Sequence, residues 1–347
     1  MNDLACIVHL HSHYSDGTGT VPEIARAARA SGVDVVLLTD HDTLEARRRG
    51  EEGWHDGVLV LVGEEVSPRG RNHYLAFGIE TEIRHRGKSG SEICSAVRRE
   101  GGFGFAAHPF SRGSPRFRRA AGGMPFEELD CEALHGIEVW SWVTDTAERL
   151  PSIPAALAFI AAPGRVVDHP PKSNVAEWDR LCALRRTVGI GGLDAHQFGR
   201  RLGPFVLRLM SYRRSFRHLR THVLVESPLS GDLAGDSELV YAALREGRCY
   251  LGVDSLANAS GFSFWAEDGN GRLEMGAETP ARSLRLRAEL PAPGRLRLLR
   301  NGRELVSREA ATLEQAVEEP GVYRVEAYRR ARGAERTWIL SNPIYLR

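Results

Sequence analysis

The chain has 347 residues, of which 42% are apolar and 26% charged, values typical of a soluble globular protein with room for a large and a smaller domain. Its 46 basic and 45 acidic residues nearly balance, so net charge gives no support for binding to nucleic acid or to a membrane surface. We find no apolar run long enough to span a membrane and no signal peptide, so we expect a cytoplasmic protein. The five cysteines are scattered and include no CxxC pair, so we expect them to be reduced, without disulfides or thiolate zinc sites.

Predicted strands and helices alternate from the N-terminus to about residue 255. The first strand, Ala5–His11, precedes a helix over Val21–Ala30 with Thr20 as its N-cap and Pro22 in its first turn. Further strands are predicted over Val33–Thr39, Val58–Val62, His73–Phe77, Gly104–Ala107, Gly136–Trp140, Thr187–Gly191 and His222–Glu226, and helices over Gly90–Glu100, Val175–Arg185 and Ser237–Glu246. This succession indicates an α/β fold with parallel pairing, and a barrel of about seven strands fits the count better than an open sheet.

After about residue 256 the sequence pattern changes, and turns containing Pro and Gly separate strand-like segments. These segments are Ser283–Leu290, Leu296–Arg300, Gly321–Tyr328 and Thr337–Leu340, with one short helical pattern near Thr312–Val317. The pattern predicts a small all-β sandwich over residues 256–347, following an α/β domain over residues 1–255.

Residue types that bind metals are concentrated where the predicted strands end. His9 and His11 would share one face of the first strand and could grip one ion together, and Asp16 follows in the next loop. Similar clusters are Asp40-His41-Asp42, Glu64-Glu65, Ala107-His108 and Asp194-Ala195-His196, while His73 opens its strand. Because the C-terminal strand ends of a parallel barrel open on one face, we expect these side chains to converge on divalent cations. Mixed carboxylate and imidazole ligands suit Zn, Mn or Fe.

Five motifs resemble, in order, those of the polymerase and histidinol phosphatase (PHP) family of metal-dependent hydrolases. They are His9-Leu10-His11 with Asp16-Gly17, Thr39-Asp40-His41-Asp42, Gly63-Glu64-Glu65, Ala107-His108-Pro109 and Asp194-Ala195-His196. The resemblance implies a distorted (β/α)7 barrel holding two or three divalent metal ions. A looser resemblance, carried by Trp178–Leu181 and Trp338–Tyr345, is to a carbaryl-hydrolase-like subgroup with an added β-rich C-terminal domain.

Carried over by position, the resemblance implies three ligand groups, of which the first two share a bridging Glu65. They are His9, His11, Glu65 and Asp194; Glu65, His73 and His108; and Asp16, His41 and His196. His13 is an alternative to Asp16 as a ligand, but the spacing from His11 in the family favours Asp16. Glu64 is likewise an alternative to Glu65, but the residues that follow Glu65 favour Glu65. We expect Asp40 and Asp42 to cap turns or to support ligands from outside. Ile7 stands where family members often carry Asp, which puts in doubt one supporting hydrogen bond but no ligand.

The expected chemistry is hydrolysis by metal-bound hydroxide, because bound cations lower the pKa of water from about 15.7 towards about 7. Asp194 or His196 would handle protons, and no Gly-x-Ser-x-Gly elbow supplies a serine nucleophile. The leading substrate is a phosphoester of a small phosphorylated metabolite or nucleotide, the commonest activity that the family implies. The first alternative function is hydrolysis of a carbamate, ester or amide, of the carbaryl-hydrolase type. The second alternative is a non-catalytic, metal-stabilised module.

A basic segment after His108 contains Arg112, Arg116 and Arg118, which could clamp a phosphate or form an ordinary solvated loop. The expected partner is a small molecule. Neither a membrane nor nucleic acid is indicated, because no basic stripe is interleaved with aromatic residues. The sequence leaves the oligomeric state open.

Overall fold

The computed structural model describes residues 1–116, 122–162, 169–197, 199–202, 205–208, 210–269 and 271–347, with the backbone only at 199–202 and 205–208. The first strands are β1 (Asn2–Val8), β2 (Val35–His41), β3 (Gly53–His55), β4 (Val58–Val66), β5 (Tyr74–Phe77), β6 (Phe103–Ala106), β7 (Gly136–Ser141), β8 (Val188–Gly192), β9 (Gly199–Leu202), β10 (Phe205–Arg208), β11 (Leu219–Val225) and β12 (Cys249–Val253). The helices are α1 (Val21–Arg29), α2 (Glu45–Arg48), α3 (Gly90–Arg99), α4 (Trp142–Arg149), α5 (Ile153–Ala161), α6 (Lys172–Leu184), α7 (Tyr212–Ser215) and α8 (Leu233–Glu246). None of these helices in the described part of the chain has both the length and the apolar character that a membrane span requires.

Seven strands pair successively in the order β1, β2, β4, β5, β6, β7 and β8. The segment after β8 returns to the end of β1, where the Leu193 N–H donates to the Val8 carbonyl and the His11 N–H to the Ala195 carbonyl, both at 3.0 Å. Neighbours are parallel except that β5 runs antiparallel to β4 and β6, so the expectation of parallel pairing is wrong there. The reversal brings the start of β5 to the end of the sheet where the parallel strands finish.

Both faces of the parallel strands are buried, which explains why their sequences are continuous apolar runs. On β2, Val35 and Leu37 lie in a cluster with residues of β1, β4, β5, β6, β8, β11 and α8. The alternate residues Val36 and Leu38 pack in a second cluster with Ile24 of α1. The strands therefore separate an inner layer of side chains from a layer beneath the helices.

The predicted start of α1 is confirmed by its N-terminal cap. The Thr20 hydroxyl accepts a hydrogen bond from the Glu23 N–H at 3.4 Å, and the Glu23 carboxylate accepts from the Thr20 N–H at 3.0 Å. This reciprocal pair satisfies two backbone donors that would otherwise lack a helical partner. It fixes the helix that follows the loop carrying Asp16.

The C-terminal part of the chain is built from strands. They are β13 (Ser263–Asp268), β14 (Gly271–Glu274), β15 (Glu278–Thr279), β16 (Leu284–Arg300), β17 (Arg303–Val317), β18 (Gly321–Ala331), β19 (Ala334–Ser341) and β20 (Ile344–Leu346). The helix expected near Thr312–Val317 is wrong, because these residues belong to β17. Leu313 and Val317 are buried opposite Ala288 and Leu284 of β16, so antiparallel pairing outweighs the local helical pattern.

The C-terminal strands are hydrogen-bonded to the first part of the chain. Strand β12 pairs antiparallel with β19, with Tyr250 opposite Ser341. The buried Asn342 side chain donates to the carbonyls of Gly189 and Cys249 and accepts from the Gly189 N–H, each at 2.8 Å. Asn342 therefore satisfies backbone groups of both β8 and β12, a structural role for one residue of the tail motif.

A buried histidine on β11, His222, lies between two carboxylates. Its Nδ1 is 3.0 Å from Asp3 Oδ1, its Nε2 is 3.3 Å from Asp254 Oδ1, and its ring stacks on Tyr250 with centroids 4.7 Å apart. Burial disfavours a charged ring, but hydrogen bonds to Asp254 and Asp3 raise the pKa of His222 to about 9. An unfolded histidine has a pKa of about 6.5. The stability that the charged ring contributes is therefore complete below about pH 6.5 and is lost as the pH rises through about 9.

We expect His222→Gln to lower the free energy of unfolding by on the order of 3 kcal/mol at pH 6.5 and by clearly less at pH 10. The reason is that the wild-type protein itself loses the charged ring over this interval. Urea unfolding at both pH values measures the difference. His13→Gln, at an exposed histidine, is the control and should change neither value. An equal loss at both pH values would contradict the ionic account.

Candidate metal centre

Three residues of the predicted site adopt a left-handed backbone directly after strands. His9 follows β1 with φ 63°, and His108 and Asp194 lie two residues after β6 and β8 with φ 30° and 53°. Such values are uncommon outside glycine and destabilise by about 1–3 kcal/mol each. The His9 turn is held by its carbonyl, which accepts from the Asp194 N–H at 2.8 Å. Strained residues persist where surrounding contacts determine the backbone, as they do here.

His9 lies in a turn after β1 and not in the strand, contrary to the prediction of a strand over Ala5–His11. Strand β1 ends at Val8, so His9 and His11 do not share a face through strand alternation. Their rings meet instead edge to face, with centroids 5.4 Å apart, because the backbone turns at His9. The pair is brought together by a different local geometry from the one predicted.

The structure gathers all nine predicted ligand residues into one group, named here the acid–imidazole cluster: His9, His11, Asp16, His41, Glu65, His73, His108, Asp194 and His196. Ligand atoms lie within 4.8 Å of one another in four overlapping sets, namely His11, Asp16, His41 and His196; His9, Glu65 and His108; His9, His11 and Asp194; and His41, Glu65 and His73. Strand ends far apart in sequence therefore meet in one place.

Glu65, fully buried on β4, lies at the middle of the acid–imidazole cluster. Its Oε2 is 3.3 Å from Nε2 of both His9 and His11 and 3.2 Å from His41 Nδ1. Its Oε1 is 2.8 Å from His73 Nδ1 and 3.1 Å from His108 Nε2. The two oxygens therefore face different sets of imidazoles, as a carboxylate that bridges two cations would.

The spacing around Glu65 Oε2 is suited to a coordinated cation. Asp194 Oδ1 is 3.5 Å from Nε2 of both His9 and His11, close to the 3.3 Å that separates each of those nitrogens from Glu65 Oε2. Ligand atoms about 2.1 Å from a common tetrahedral centre would be roughly 3.4 Å apart. Each of the two imidazole nitrogens therefore lies at about this separation from both carboxylate oxygens.

The third predicted group lies on the open side of the cluster. Asp16 Oδ1 is 3.1 Å from His196 Nε2, 3.6 Å from His41 Nε2 and 3.9 Å from His11 Nδ1. The Asp16 side chain is 57% exposed, whereas His11 is fully buried. The cluster is therefore open to solvent on the Asp16 side.

Buried nitrogens without hydrogen-bond partners fit bound cations. The Nδ1 atoms of His11 and His108 are buried and make no hydrogen bond with any described residue, and His11 Nε2 lies 3.3 Å from Glu65 Oε2 without the geometry of a hydrogen bond. Burial opposes charge, but the carboxylates of Asp194 and Glu65 raise the pKa of His11 to about 9. Burial likewise opposes charge on Glu65, yet the neighbouring imidazoles hold the pKa of that carboxyl well below its usual range. The carboxylates thus draw positive charge to the imidazoles, and a divalent cation would supply that charge instead of protons.

The two open alternatives lie outside the cluster. His13 is exposed, and its ring packs against Tyr14 with centroids 4.1 Å apart. The Oε1 of Glu64 accepts from the Ile83 N–H at 2.7 Å, and burial raises the pKa of Glu64 to about 8. Asp16 and Glu65 are therefore the members of each pair that face the other candidate ligands.

Asp40 and Asp42 hold loops beside the cluster. Asp40 accepts from the Ser12 N–H at 2.7 Å and from the hydroxyls of Ser12 and Ser15, both at 2.6 Å. Asp42 Oδ1 accepts from the Ser67 N–H at 2.8 Å. The first set of bonds fixes the loop that presents Asp16.

Sequence reasoning missed Glu138 on β7, which supports the cluster from outside. The fully buried Glu138 places Oε1 2.9 Å from His9 Nδ1, while Oε2 accepts from the His108 N–H at 2.6 Å. At position 7, where family members often carry Asp, Ile7 is buried in the apolar core and cannot make a supporting hydrogen bond. The hydrogen bond to the His9 ring comes from Glu138 instead. The Thr144 hydroxyl, also missed, donates to Asp194 Oδ2. A lone acid inside an otherwise apolar strand was the available signal for Glu138.

The predicted phosphate-binding arginines are only partly described. Arg112 and Arg116 are exposed, and the Arg112 N–H donates to Glu148 at 3.0 Å. Arg118 lies outside the described residues. In the described part of the chain neither Arg112 nor Arg116 contacts the acid–imidazole cluster.

Comparison with known proteins gives one family and several relatives. The PHP domain family matches residues 8–149. An uncharacterized protein of Methanocaldococcus jannaschii is 27% identical over 149 residues, covering 39% of this chain and 80% of that protein. Phosphoribosyl 1,2-cyclic phosphate 1,2-diphosphodiesterase of Eggerthella lenta is 38% identical over 79 residues, covering 21% of this chain and 30% of that enzyme. A solved two-domain protein of Bacteroides vulgatus, described as containing a predicted PHP-like metal-dependent phosphoesterase, aligns over 99% of this chain and 95% of its own at 15% identity and a TM-score of 0.45.

Proposed function

We propose that the protein is a metal-dependent phosphoesterase acting on a small phosphorylated metabolite or nucleotide, on the premise that residues 8–149 match the PHP domain family. The observation that carries the proposal is the convergence of five imidazoles on the two oxygens of Glu65. Such a set of ligands for adjacent cations suits hydrolysis of a phosphoester, whose oxygens can contact both cations.

The residues that would hold two or three cations fall into the three predicted groups: His9, His11, Glu65 and Asp194; Glu65, His73 and His108; and Asp16, His41 and His196. When bound, divalent Zn, Mn or Fe would lower the pKa of water and polarise the phosphoryl group. Glu138 would orient His9 by accepting its Nδ1–H, leaving Nε2 free to bind.

Asp194 and His196 are the proposed proton-handling residues. Asp194 Oδ1 is 3.6 Å from His196 Nδ1, and both side chains reach the solvent-facing edge of the cluster. Burial opposes ionisation of Asp194, but His9 and the other imidazoles hold its pKa well below the usual range, so it is a carboxylate at neutral pH. Arg112, Arg116 and Arg118 remain candidates for phosphate contacts, because their segment closely follows His108.

We also infer the finer architecture that such a site requires. The successive pairing of seven strands, with the return of residues 193–195 to β1, supports a distorted (β/α)7 barrel over residues 1–255. Antiparallel pairing among β13, β14 and β16–β19 supports a β-sandwich domain over residues 256–347.

A substrate panel with metal analysis tests the proposed function. Protein purified without chelator should contain at least one divalent ion per chain and should cleave phosphomonoesters or phosphodiesters. Activity should fall at least roughly 10²-fold after chelation and return with Mn or Zn. Cleavage of aryl carbamates without cleavage of any phosphoester would overturn the proposal. If His9→Ala and Asp194→Ala removed the metal but left every activity unchanged, a non-catalytic module would be favoured instead.

A further inference from the structure

A second polar cavity lies away from the acid–imidazole cluster, between the end of α1, the α7–β11 segment, the loop after β12 and the β18–β19 turn. Its volume is about 800 Å³, which is large enough for a nucleotide-sized ligand. Four arginines line it, Arg214, Arg217, Arg220 and Arg332, together with Asp254, the one acid among its described lining residues. None of those lining residues belongs to the acid–imidazole cluster.

The charge of Asp254 is already compensated by other groups. Its Oδ2 accepts from Arg220 Nη1 at 2.8 Å, and its Oδ1 is 3.3 Å from His222 Nε2 and accepts from the Ala259 N–H at 3.0 Å. Arg220 also donates to the carbonyls of Ser31 and Gly32. Arg220 and Asp254 therefore form part of the wall, and neither is available to a ligand.

The other three arginines keep donors for a ligand. Arg214 donates from Nη1 to the Ile160 carbonyl at 2.7 Å, which leaves its second terminal nitrogen. The side chains of Arg217 and Arg332 have no hydrogen-bond or ion-pair partner in the described part of the chain, although both line the cavity. Three like charges facing one concavity, with its acid already neutralised, attract anions.

His218 extends this polar wall. Its ring stacks on Trp142 with centroids 4.6 Å apart, and its buried Nδ1 has no hydrogen-bond partner among the described residues. Burial, and then the charges of Arg214 and Arg217, lower the pKa of His218 to about 4, so the ring is neutral near pH 7. The neutral ring therefore adds no charge to the wall that the arginines form.

We propose that this cavity binds a small phosphate-bearing anion, such as the diphosphate group of a nucleotide, through Arg214, Arg217 and Arg332. Guanidinium groups match phosphate oxygens in bidentate geometry. The arginines come from two distant parts of the chain, the α7 segment and the β18–β19 turn, so the anion would link the C-terminal strands to the first part. The volume of about 800 Å³ is that of a site for a small molecule, whereas a long polyanion is bound along an extended groove.

Isothermal titration with methylenediphosphonate, a diphosphate analogue that resists hydrolysis, tests the proposal on the full chain as purified. We expect the double variant Arg217→Ala/Arg332→Ala to bind at least roughly tenfold more weakly than the wild type. Arg213→Ala, which removes an exposed charge from α7 outside the cavity, is the matched control and should bind unchanged. Thermal unfolding of all three proteins confirms that each remains folded.

Binding at the acid–imidazole cluster would be equal in the three proteins, so the difference between them reports the cavity alone. Equal affinity in all three would overturn the proposal. Binding of a single-stranded RNA or of phosphatidylserine vesicles that required the same two arginines, without binding of the diphosphonate, would also overturn it in favour of a macromolecular partner.

Discussion

Replacing Glu65 with Gln is expected to abolish activity, with a loss of at least roughly 10²–10³-fold, and to reduce the bound metal. The amide keeps the volume of the side chain but removes its charge. It also turns an NH₂ donor towards either the His9 and His11 nitrogens or those of His73 and His108, all 2.8–3.3 Å from the carboxylate oxygens. Measured kcat and metal stoichiometry should therefore fall together.

Glu64→Gln is the matched control, because it changes the adjacent carboxyl group on the same strand. Glu64 points away from the cluster towards the Ile83 N–H, an interaction that the amide oxygen can keep. Since burial raises the pKa of Glu64 to about 8, this side chain is largely neutral at pH 7 and the amide resembles it closely. Metal content and activity should be retained. Full metal content in Glu65→Gln, or loss of metal in Glu64→Gln, would reverse the assignment of the bridging residue.

The position of the first strands could be predicted because burial on both faces leaves a strong apolar signal. The direction of β5 could not be read from that signal, since a four-residue strand, Tyr74–Phe77, looks the same in either direction. Loop length carried the missing information. Residues 67–73, which separate β4 from β5, are too few for the dozen or more that a parallel crossover needs. The incorrect prediction of a helix near Thr312–Val317 has another cause. The secondary structure of that segment is determined by its pairing with strand β16 and not by its local sequence pattern.

The candidate ligands could be predicted because their residue types and spacing lie at strand ends, which the sequence pattern locates. The left-handed turn at His9 could not, since a single His is a poor signal for positive φ. The contact between Glu138 and His9 depends on tertiary packing across 129 residues of sequence. Gly192 is a sequence feature related to this contact, because a Cβ at position 192 would lie 1.7 Å from Glu138 Oε1. This glycine leaves the space that the Glu138 carboxylate occupies.

Glu138 is the residue outside the acid–imidazole cluster with the strongest expected effect on it. One carboxylate contacts both the ring of His9 and the backbone of His108, so it positions two candidate ligands at once. Accepting the Nδ1–H of His9 selects the tautomer whose Nε2 carries the lone pair facing Glu65 and Asp194. A glutamine at this position could accept from only one of the two donors, and its NH₂ group would face the other.

We therefore expect Glu138→Gln to weaken metal binding by about 10–100-fold and to lower activity correspondingly at limiting metal. High metal concentration should restore much of the activity, which a misfolded variant could not show. Asp145→Asn is the control, because Asp145 is a buried acid near Glu138 that binds the Ser141 N–H and Asn174 and does not contact the cluster. Metal titration followed by activity measurement distinguishes the two variants. Equal metal affinity in wild type and Glu138→Gln would show that His9 is oriented without this carboxylate.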